Sequence, residues 1–422
     1  MKPSKFIYFI VFFMATQSTQ VLASEFLSLP MAERQAIEND PLTRSFEQQA
    51  QAFEELAIAA SQWPDPKLRF GLLSVPTDSF DMDQEPMTQL LVGYQQMLPR
   101  GNSLEYMAAE KQAMSQSKRS EQALRQHQVL LSVRKAWFQV YLQDLSEKII
   151  RQNRRLFKQQ LEVSQSLYAA GKNQQQDVLQ AELELSLLED QLQQIASSKQ
   201  ETRANLSQWT GYELAHRPLK EEPGFLHSRL PYQLDELISM LSDHPELKKK
   251  AAMIAVSREG VELARQKYKP QWGFDVSYGK RDGENMDGSS RADFISAIAS
   301  IDLPVFTDER QDRELSAQKK KLQASRYDIS DMRLQIVARL KSVHARWLQL
   351  NERLRLYDQK VLPQSKQNAD AAMNGYQSGV VSFFTLTRAR SAELKAQLQR
   401  LKLDVEKALA YAEIRFLIGE DN

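Results

Sequence analysis

Tyr168-Ala-Ala-Gly171-Lys-Asn-Gln-Gln-Gln-Asp177-Val178-Leu179-Gln180-Ala181 is answered 208 residues later by Tyr376-Gln-Ser-Gly379-Val-Val-Ser-Phe-Phe-Thr385-Leu386-Thr387-Arg388-Ala389. In both stretches a tyrosine stands three places before a glycine, and a run of helix formers follows. Glycine accepts positive φ without steric cost, so each stretch reads as a tight reversal between two helices. The flanking sequence fits that reading. Ser103 to Ala170 is 68 residues without a Gly or Pro, and Lys172–Thr210 and Val380–Ile418 are breaker-free runs of 39 each. The remaining long segment, Val305 to Gly375, is interrupted only by Pro363. All are rich in Leu, Ala, Gln, Glu, Lys and Arg, the good helix formers. At 1.5 Å per residue the longest would be a rod of roughly 100 Å. No ordinary globular core covers such a rod, so it must lie against other long helices.

The glycine turns are one part of a duplication. Asn39-Asp40-Pro41 recurs as Asp243-His244-Pro245, Pro66 and Phe70 as Pro270 and Phe274, and Leu98-Pro99 as Leu303-Pro304. Val133 and Trp137 recur as Val343 and Trp347, and Gly211 as Gly419. A period near 200 residues describes a doubled domain and not a solenoid of short repeats. The chain therefore divides into a first repeat at 24–211, a linker at 212–232 and a second repeat at 233–422. Each repeat should hold a shorter helix (Ala32–Ser61; Leu234–Lys267), two strands (67–75 and 89–98; 271–279 and 293–303), a long helix (103–170; 305–378) and a following helix (172–210; 380–418).

The strand candidates alternate. Trp272, Phe274, Val276 and Tyr278 stand against Gln271, Gly273, Asp275 and Ser277; Leu68, Phe70 and Leu72 stand against Lys67, Arg69 and Gly71. Leu90, Val92 and Tyr94, and then Ile295, Ala297, Ala299 and Ile301, continue the pattern. Period-two alternation fits a half-buried sheet or a membrane barrel strand equally well. Secretion and the long helices favour the barrel. Four strands cannot close one, and an open edge in lipid leaves backbone groups unpaired, so spanning strands would require self-association. The intervening loops, Pro76–Pro86 and Lys280–Arg291, are polar and suit an aqueous exterior.

Composition narrows the function. The 422 residues include 55 Lys+Arg against 54 Asp+Glu and no cysteine. A net charge of +1 gives no support for a nucleic-acid binder. Disulfides, thiolate zinc sites and thiol catalysis are excluded. A mean hydropathy of −0.51 argues against a helical membrane protein. Lys2, Lys5, the apolar run Phe6–Met14 and the Val21-Leu22-Ala23 end read as a secretory signal peptide at 1–23. The histidines (His127, His216, His227, His244, His344) lack metal spacing, and neither a phosphate loop nor a nucleophile elbow appears. Met82, Met87 and Met97 near Asp81 and Asp83 read as chance and not as a soft-metal site. No catalytic residue, metal or cofactor is expected.

Two strands, long helix, glycine turn and shorter helix, given twice behind a signal peptide and carrying the paired Tyr-x-x-Gly motifs, resemble the TolC-type outer-membrane factors. Leu362-Pro363-Gln364 ahead of the second motif adds to the likeness. The resemblance implies a mainly α protein with a membrane β-barrel. A homotrimer would build one 12-strand barrel in outer-membrane lipid, continued by a periplasmic α-helical barrel, in a Gram-negative bacterium. It implies the exit duct of a tripartite efflux pump, working with a periplasmic adaptor (a membrane fusion protein) and an inner-membrane pump of RND or ABC type. A type I protein-secretion duct is the alternative, followed by a periplasmic adaptor or a secreted coiled-coil protein. Helix 380–418 is expected to stack end to end on Ala32–Ser61, and helix 172–210 on the helix from Leu234.

The same resemblance assigns residues. Tyr168, Gly171 and Lys172, with Tyr376, Gly379, Val380 and Val381, would form the tips that dock the adaptor. Asp177 and Tyr376 match a link that holds the channel gate closed. Thr385 and Arg388 stand where the family carries aspartates, and Val381 where it carries an arginine. A threefold Arg388 ring would make the constriction positive, unless Arg388 pairs with Glu393 on its own helix.

Overall fold

The structure is a computed structural model and describes residues 26–220, 224–227 and 230–419. The segment read as a signal peptide lies outside them. Four strands form one antiparallel sheet in the order β1 (Lys67–Leu73), β2 (Gln89–Met97), β3 (Gln271–Lys280) and β4 (Phe294–Asp302). The strands pair in a register that puts the read alternation on two faces. Phe70 lies beside Val92, Val92 beside Tyr278, and Tyr278 beside Ile295. One face is therefore continuously apolar and exposed. On the other, Arg69 reaches across β2 to Asp275. Gly93 sits between them, where a Cβ would lie 3.7 Å from the Arg69 Nε and 3.3 Å from the Ser277 Cβ. β1 and β4 are edges, and every residue of β4 is exposed.

The helices continue the sheet's order. Near the sheet, α2 (Pro41–Ala60) packs on α3 (Ser103–Ala169), α3 on α7 (Pro245–Gln266), and α7 on α8 (Gln311–Leu356). Further along, α4 (Gln175–Thr210) packs on α3, α3 on α10 (Phe383–Ile418), and α10 on α9 (Leu362–Gln377). α3 runs unbroken for 67 residues and belongs to both layers. The short α1 (Leu29–Asn39), α5 (Tyr212–Ala215) and α6 (Leu234–Met240) lie at the waist. There Leu27 bridges to Leu219, and the core gathers around the fully buried Trp137 and Phe138 and around Leu340, Leu403 and Leu417.

Several expectations are corrected. Ala32–Ser61 is two helices. Pro41 disfavours the helical conformation at Asp40, which turns extended (ψ 111°) and caps α2 by accepting the Thr43 N–H at 2.8 Å. Leu234–Lys267 breaks for the same reason at His244-Pro245, after a 3₁₀ turn at Leu241–Asp243. The helix expected at 305–378 starts only at Gln311 and is interrupted by a π-helical turn, Tyr357–Val361. The 172–210 and 380–418 helices each start three residues late, at Gln175 and Phe383. The stacking is also the reverse of that expected. α4 meets α1, and α10 meets α6 and the 3₁₀ turn that leads into α7, so stacking stays within each repeat. Leu206 joins Leu29 and Ala32, while Leu417 and Ile418 join Leu241 and Leu247. The reason is tethering: α2 and α4 lie along the same α3, and α7 and α10 lie along the same α8.

Candidate functional site

The two glycine turns close in the same way. Gly171 (φ 68°) and Gly379 (φ 77°) follow α3 and α9 in the left-handed region. The Lys172 N–H returns to the Leu167 carbonyl and the Val380 N–H to the Gly375 carbonyl, both at 2.9 Å. That six-to-one bond satisfies a carbonyl that the helix end would otherwise leave open. A Cβ at Gly171 or Gly379 would meet nothing within 4 Å, so both glycines answer to φ alone and both turns are exposed. The surfaces differ. Val380 and Phe384 are exposed at one turn, and Lys172 with Asn173 and three glutamines makes the other polar. Gly375 is small for a different reason. A Cβ there would lie 2.6 Å from the Val381 Cγ2, and its absence lets Val381 fold over α9.

Behind the turns the structure brings Asp177 and Tyr376 together. Tyr376 is buried, edge-on to Phe383 at 5.4 Å. The Asn173 side-chain N–H donates to its hydroxyl at 2.5 Å, and the hydroxyl donates to the Ser164 Oγ at 3.3 Å. The Asp177 carboxylate also lies within hydrogen-bonding reach of that hydroxyl. Burial pushes Asp177 above the ordinary carboxylate value despite the tyrosine's help. Burial likewise raises the Tyr376 phenol, and the Asp177 charge raises it further. Ser164, Asn173 and Asp177 come from the first repeat and Tyr376 and Phe383 from the second, so the contact ties the two helix hairpins together.

The other expected residues scatter. Tyr168, the repeat partner of Tyr376, is half exposed and takes no part. Thr385 is exposed, with its hydroxyl 3.0 Å from the Ser382 Oγ and its N–H capped by the same oxygen. Arg388 is exposed and has no ion pair among the described residues. It does not reach Glu393, because five residues on a helix place two side chains well apart in rotation. Arg390 does: it is buried, 2.9 Å from Glu393 and 3.2 Å from Asp370. The sequence reading missed Arg390. Its signal was present, since Leu386, Arg390, Glu393 and Gln397 recur at helical spacing on the face that Ala389 and Leu394 mark as apolar.

Among the described residues, no group of His, Asp or Glu could hold a metal ion, and no helix is long and apolar enough to cross a membrane.

In fold the chain is similar to known outer-membrane channels. It matches OprN with a TM-score of 0.76 at 18% identity, covering 93% of this chain and 90% of that one. It matches VceC of Vibrio cholerae at 0.75 and 17%, covering 93% and 96%. The open-state MtrE channel of Neisseria gonorrhoeae follows at 0.73 and 16%, covering 93% and 88%. No curated protein is similar enough to match. The chain thus shares the fold of these outer-membrane channels. Residues 237–420 match the model of the outer membrane efflux protein family.

Proposed function

We propose that the chain is one of three identical protomers of an efflux exit duct. It would carry substrates passively across periplasm and outer membrane from an inner-membrane pump and its periplasmic adaptor. The repeats at 24–211 and 233–422 would be its pseudo-symmetric halves, and 212–232 the belt between them. One observation carries this reading: the protomer ends in matching open edges at every level. β1 and β4 lack outer partners in a sheet whose apolar face is exposed. In the helical layer Leu42, Leu56 and Ile58 lie exposed on α2, and Tyr327, Leu334 and Leu348 on α8. Head-to-tail joining of such edges closes rings, and three copies of four strands give the twelve that a barrel of this kind would need. The apolar sheet face would meet lipid, and the Arg69–Asp275 face would line the water-filled lumen.

In this duct the exposed turns at Gly171-Lys172 and Gly379-Val380-Val381 dock the adaptor. The Asp177–Tyr376 contact holds the gate, and Arg388 gives the constriction its charge beside Thr385. The test is a Gly379→Pro variant compared with wild type in outer-membrane fractions. Heat-modifiable trimers should persist, since the turn lies far from the edges, while efflux of added dyes falls to the level of a deletion strain. Normal efflux would remove tip docking. A monodisperse monomer in detergent would remove the trimer itself.

A further inference from the structure

At the waist α10 lies between α3 and α8, and its two remaining faces differ. Asp404 and Lys407 line a cavity with the linker's Leu226, His227 and Leu230, and Tyr411 packs edge-on to Phe225 at 5.2 Å. Glu406, Leu409 and Glu413 stand about half a turn further round the helix. In a closed ring of helices these two faces are the outside and the bore, and three linkers in the bore would plug it. The linker face is therefore the outside, and the Glu406–Glu413 face lines the lumen.

On that second face α3, α8 and α10 enclose a cavity of about 550 Å³, within the range of small-molecule sites. Leu350 and Leu409 give it apolar lining, and Gln139 and Gln349 add amides. Its charges are Lys135, Arg346 and Arg353 against Glu406 and Glu413. Glu413 is already engaged: it accepts from Arg346 at 2.6 Å and from Arg339, outside the lining, at 2.9 Å. Burial alone would raise its carboxyl, but those two bonds outweigh burial and hold it below its ordinary value. Glu406 lies 4.0 Å from Lys402. Lys135 and Arg353 are exposed and make no ion pair among the described residues. The doubling shows these cations to be particular to one cavity. With Val133 and Trp137 answering to Val343 and Trp347, Lys135 answers to Ala345, Arg346 to Ala136 and Arg353 to Gln143, so the equivalent positions carry none of the three charges.

We propose that this cavity is a lumen-wall site for an anionic amphiphile, a small molecule with a carboxylate or sulfonate on an apolar body. The planar Arg353 guanidinium suits the adjacent oxygens of such a group, and Lys135 adds a point charge. Leu350 and Leu409 take the apolar body, and the amides of Gln139 and Gln349 donate to the oxygens that remain. Between low-dielectric walls the two cations act more strongly than they would in open water. A trimer carries three such sites at its waist, so a passing anion is held on the wall and concentrated there. This inference rests on the duct reading and names a substrate class for it.

The probe is naphthalenesulfonate, with naphthalenesulfonamide as its uncharged counterpart. Equilibrium dialysis against full-length trimers in lipid nanodiscs, corrected for empty nanodiscs, should show saturable sulfonate binding and at least tenfold weaker sulfonamide binding. Equal binding of the two, or no saturable sulfonate binding, would overturn the site. Lys135→Gln/Arg353→Gln should weaken sulfonate binding at least tenfold, while Arg355→Gln/Lys407→Gln on the linker side should leave it within about twofold of wild type. Wild-type binding by the first pair, or an equal loss in both, would count against the site just as firmly. Glu406→Gln removes a carboxylate from the lining and keeps every cation, so it should tighten binding several-fold, a gain that damage to the fold does not imitate. Unchanged or weaker binding by that variant would also overturn the site. Potassium chloride conductance in planar bilayers tests the duct separately: wild-type trimers that bind the sulfonate and pass no current would overturn the duct reading, and the lumen placement with it.

Discussion

Trp137 and Trp347 occupy equivalent places in the two repeats, yet they live in different surroundings. Trp137 is fully buried, stacked on Tyr141 with ring centroids 5.4 Å apart and edge-on to Phe138 at 5.3 Å. Phe225, brought by the 3₁₀ turn Gly224–His227 of the linker, packs on the same group, 6.2 Å from Phe138. Trp347 is only partly buried and borders a cavity of about 720 Å³, which the linker's Leu226, His227 and Leu230 also line. There is one linker for two equivalent sites. Phe225 of that linker joins the first aromatic group and also packs against the second repeat's core, where Trp347 keeps an open cavity beside it and the π-helical turn. The duplicated sequence sets where each tryptophan stands, but a single unrepeated segment decides which one is packed.

The largest effect should come from emptying the filled site. Trp137→Ala should cost each protomer about 3–5 kcal/mol, the range for a large aromatic lost from a packed core. Trp347→Ala should cost less than half as much, because its neighbours already face a cavity. Urea unfolding midpoints measure both, and equal losses would break the comparison.

The next contrast lies at the repeat-equivalent caps Asp40 and His244. Burial, with smaller contributions from the charges of His127 and Arg339, holds the His244 imidazole down at about 4 against an ordinary 6.5. The fold therefore favours neutral His244. That stability is intact above pH 6.5 and is lost as pH falls toward 4, by up to about 3 kcal/mol. Burial alone would raise Asp40, but hydrogen bonds from Arg125 and Thr43 outweigh it and hold the carboxyl below its ordinary 3.8. Its contribution is lost only at lower pH. Acid should thus loosen the second repeat's joint before the first's. A His244→Gln variant should flatten the stability profile between pH 6.5 and 4, and an unchanged slope would assign the acid sensitivity elsewhere.

The smallest effect on stability, and a specific one on transport, concerns the helix starts. Arg388 has the neutral Gln180 as its counterpart in the first repeat. Arg388 is exposed, so Arg388→Ala should leave the unfolding free energy within about 0.5 kcal/mol of wild type. Single-channel selectivity should shift from anions toward cations. Unchanged selectivity would mean that Arg388 does not face the pore.

Much of this architecture was legible in local signals. Glycines at matching places, breaker-free runs and period-two alternation are all properties of neighbouring residues, so the two turns, the four strands and the long helices follow from them. Tyr376 and Tyr168 show the limit. They share a motif, yet one is buried against Asn173 and Ser164 while the other is half exposed, because only one of them faces the opposite hairpin. Arg390 shows it again. As a charged residue it reads as solvated until its face is known to be covered by α3 and α9.

By itself the sequence determined the doubling, the element types, the reversals and the apolar face of the sheet, because backbone preference and alternation act within a few residues. The tertiary structure alone decided that stacking stays within repeats, that Asp177 meets Tyr376, and that Arg390 is buried against Glu393 and Asp370. Those outcomes depend on which surfaces meet across 200 residues of chain, and burial, not local propensity, sets the energy of such meetings.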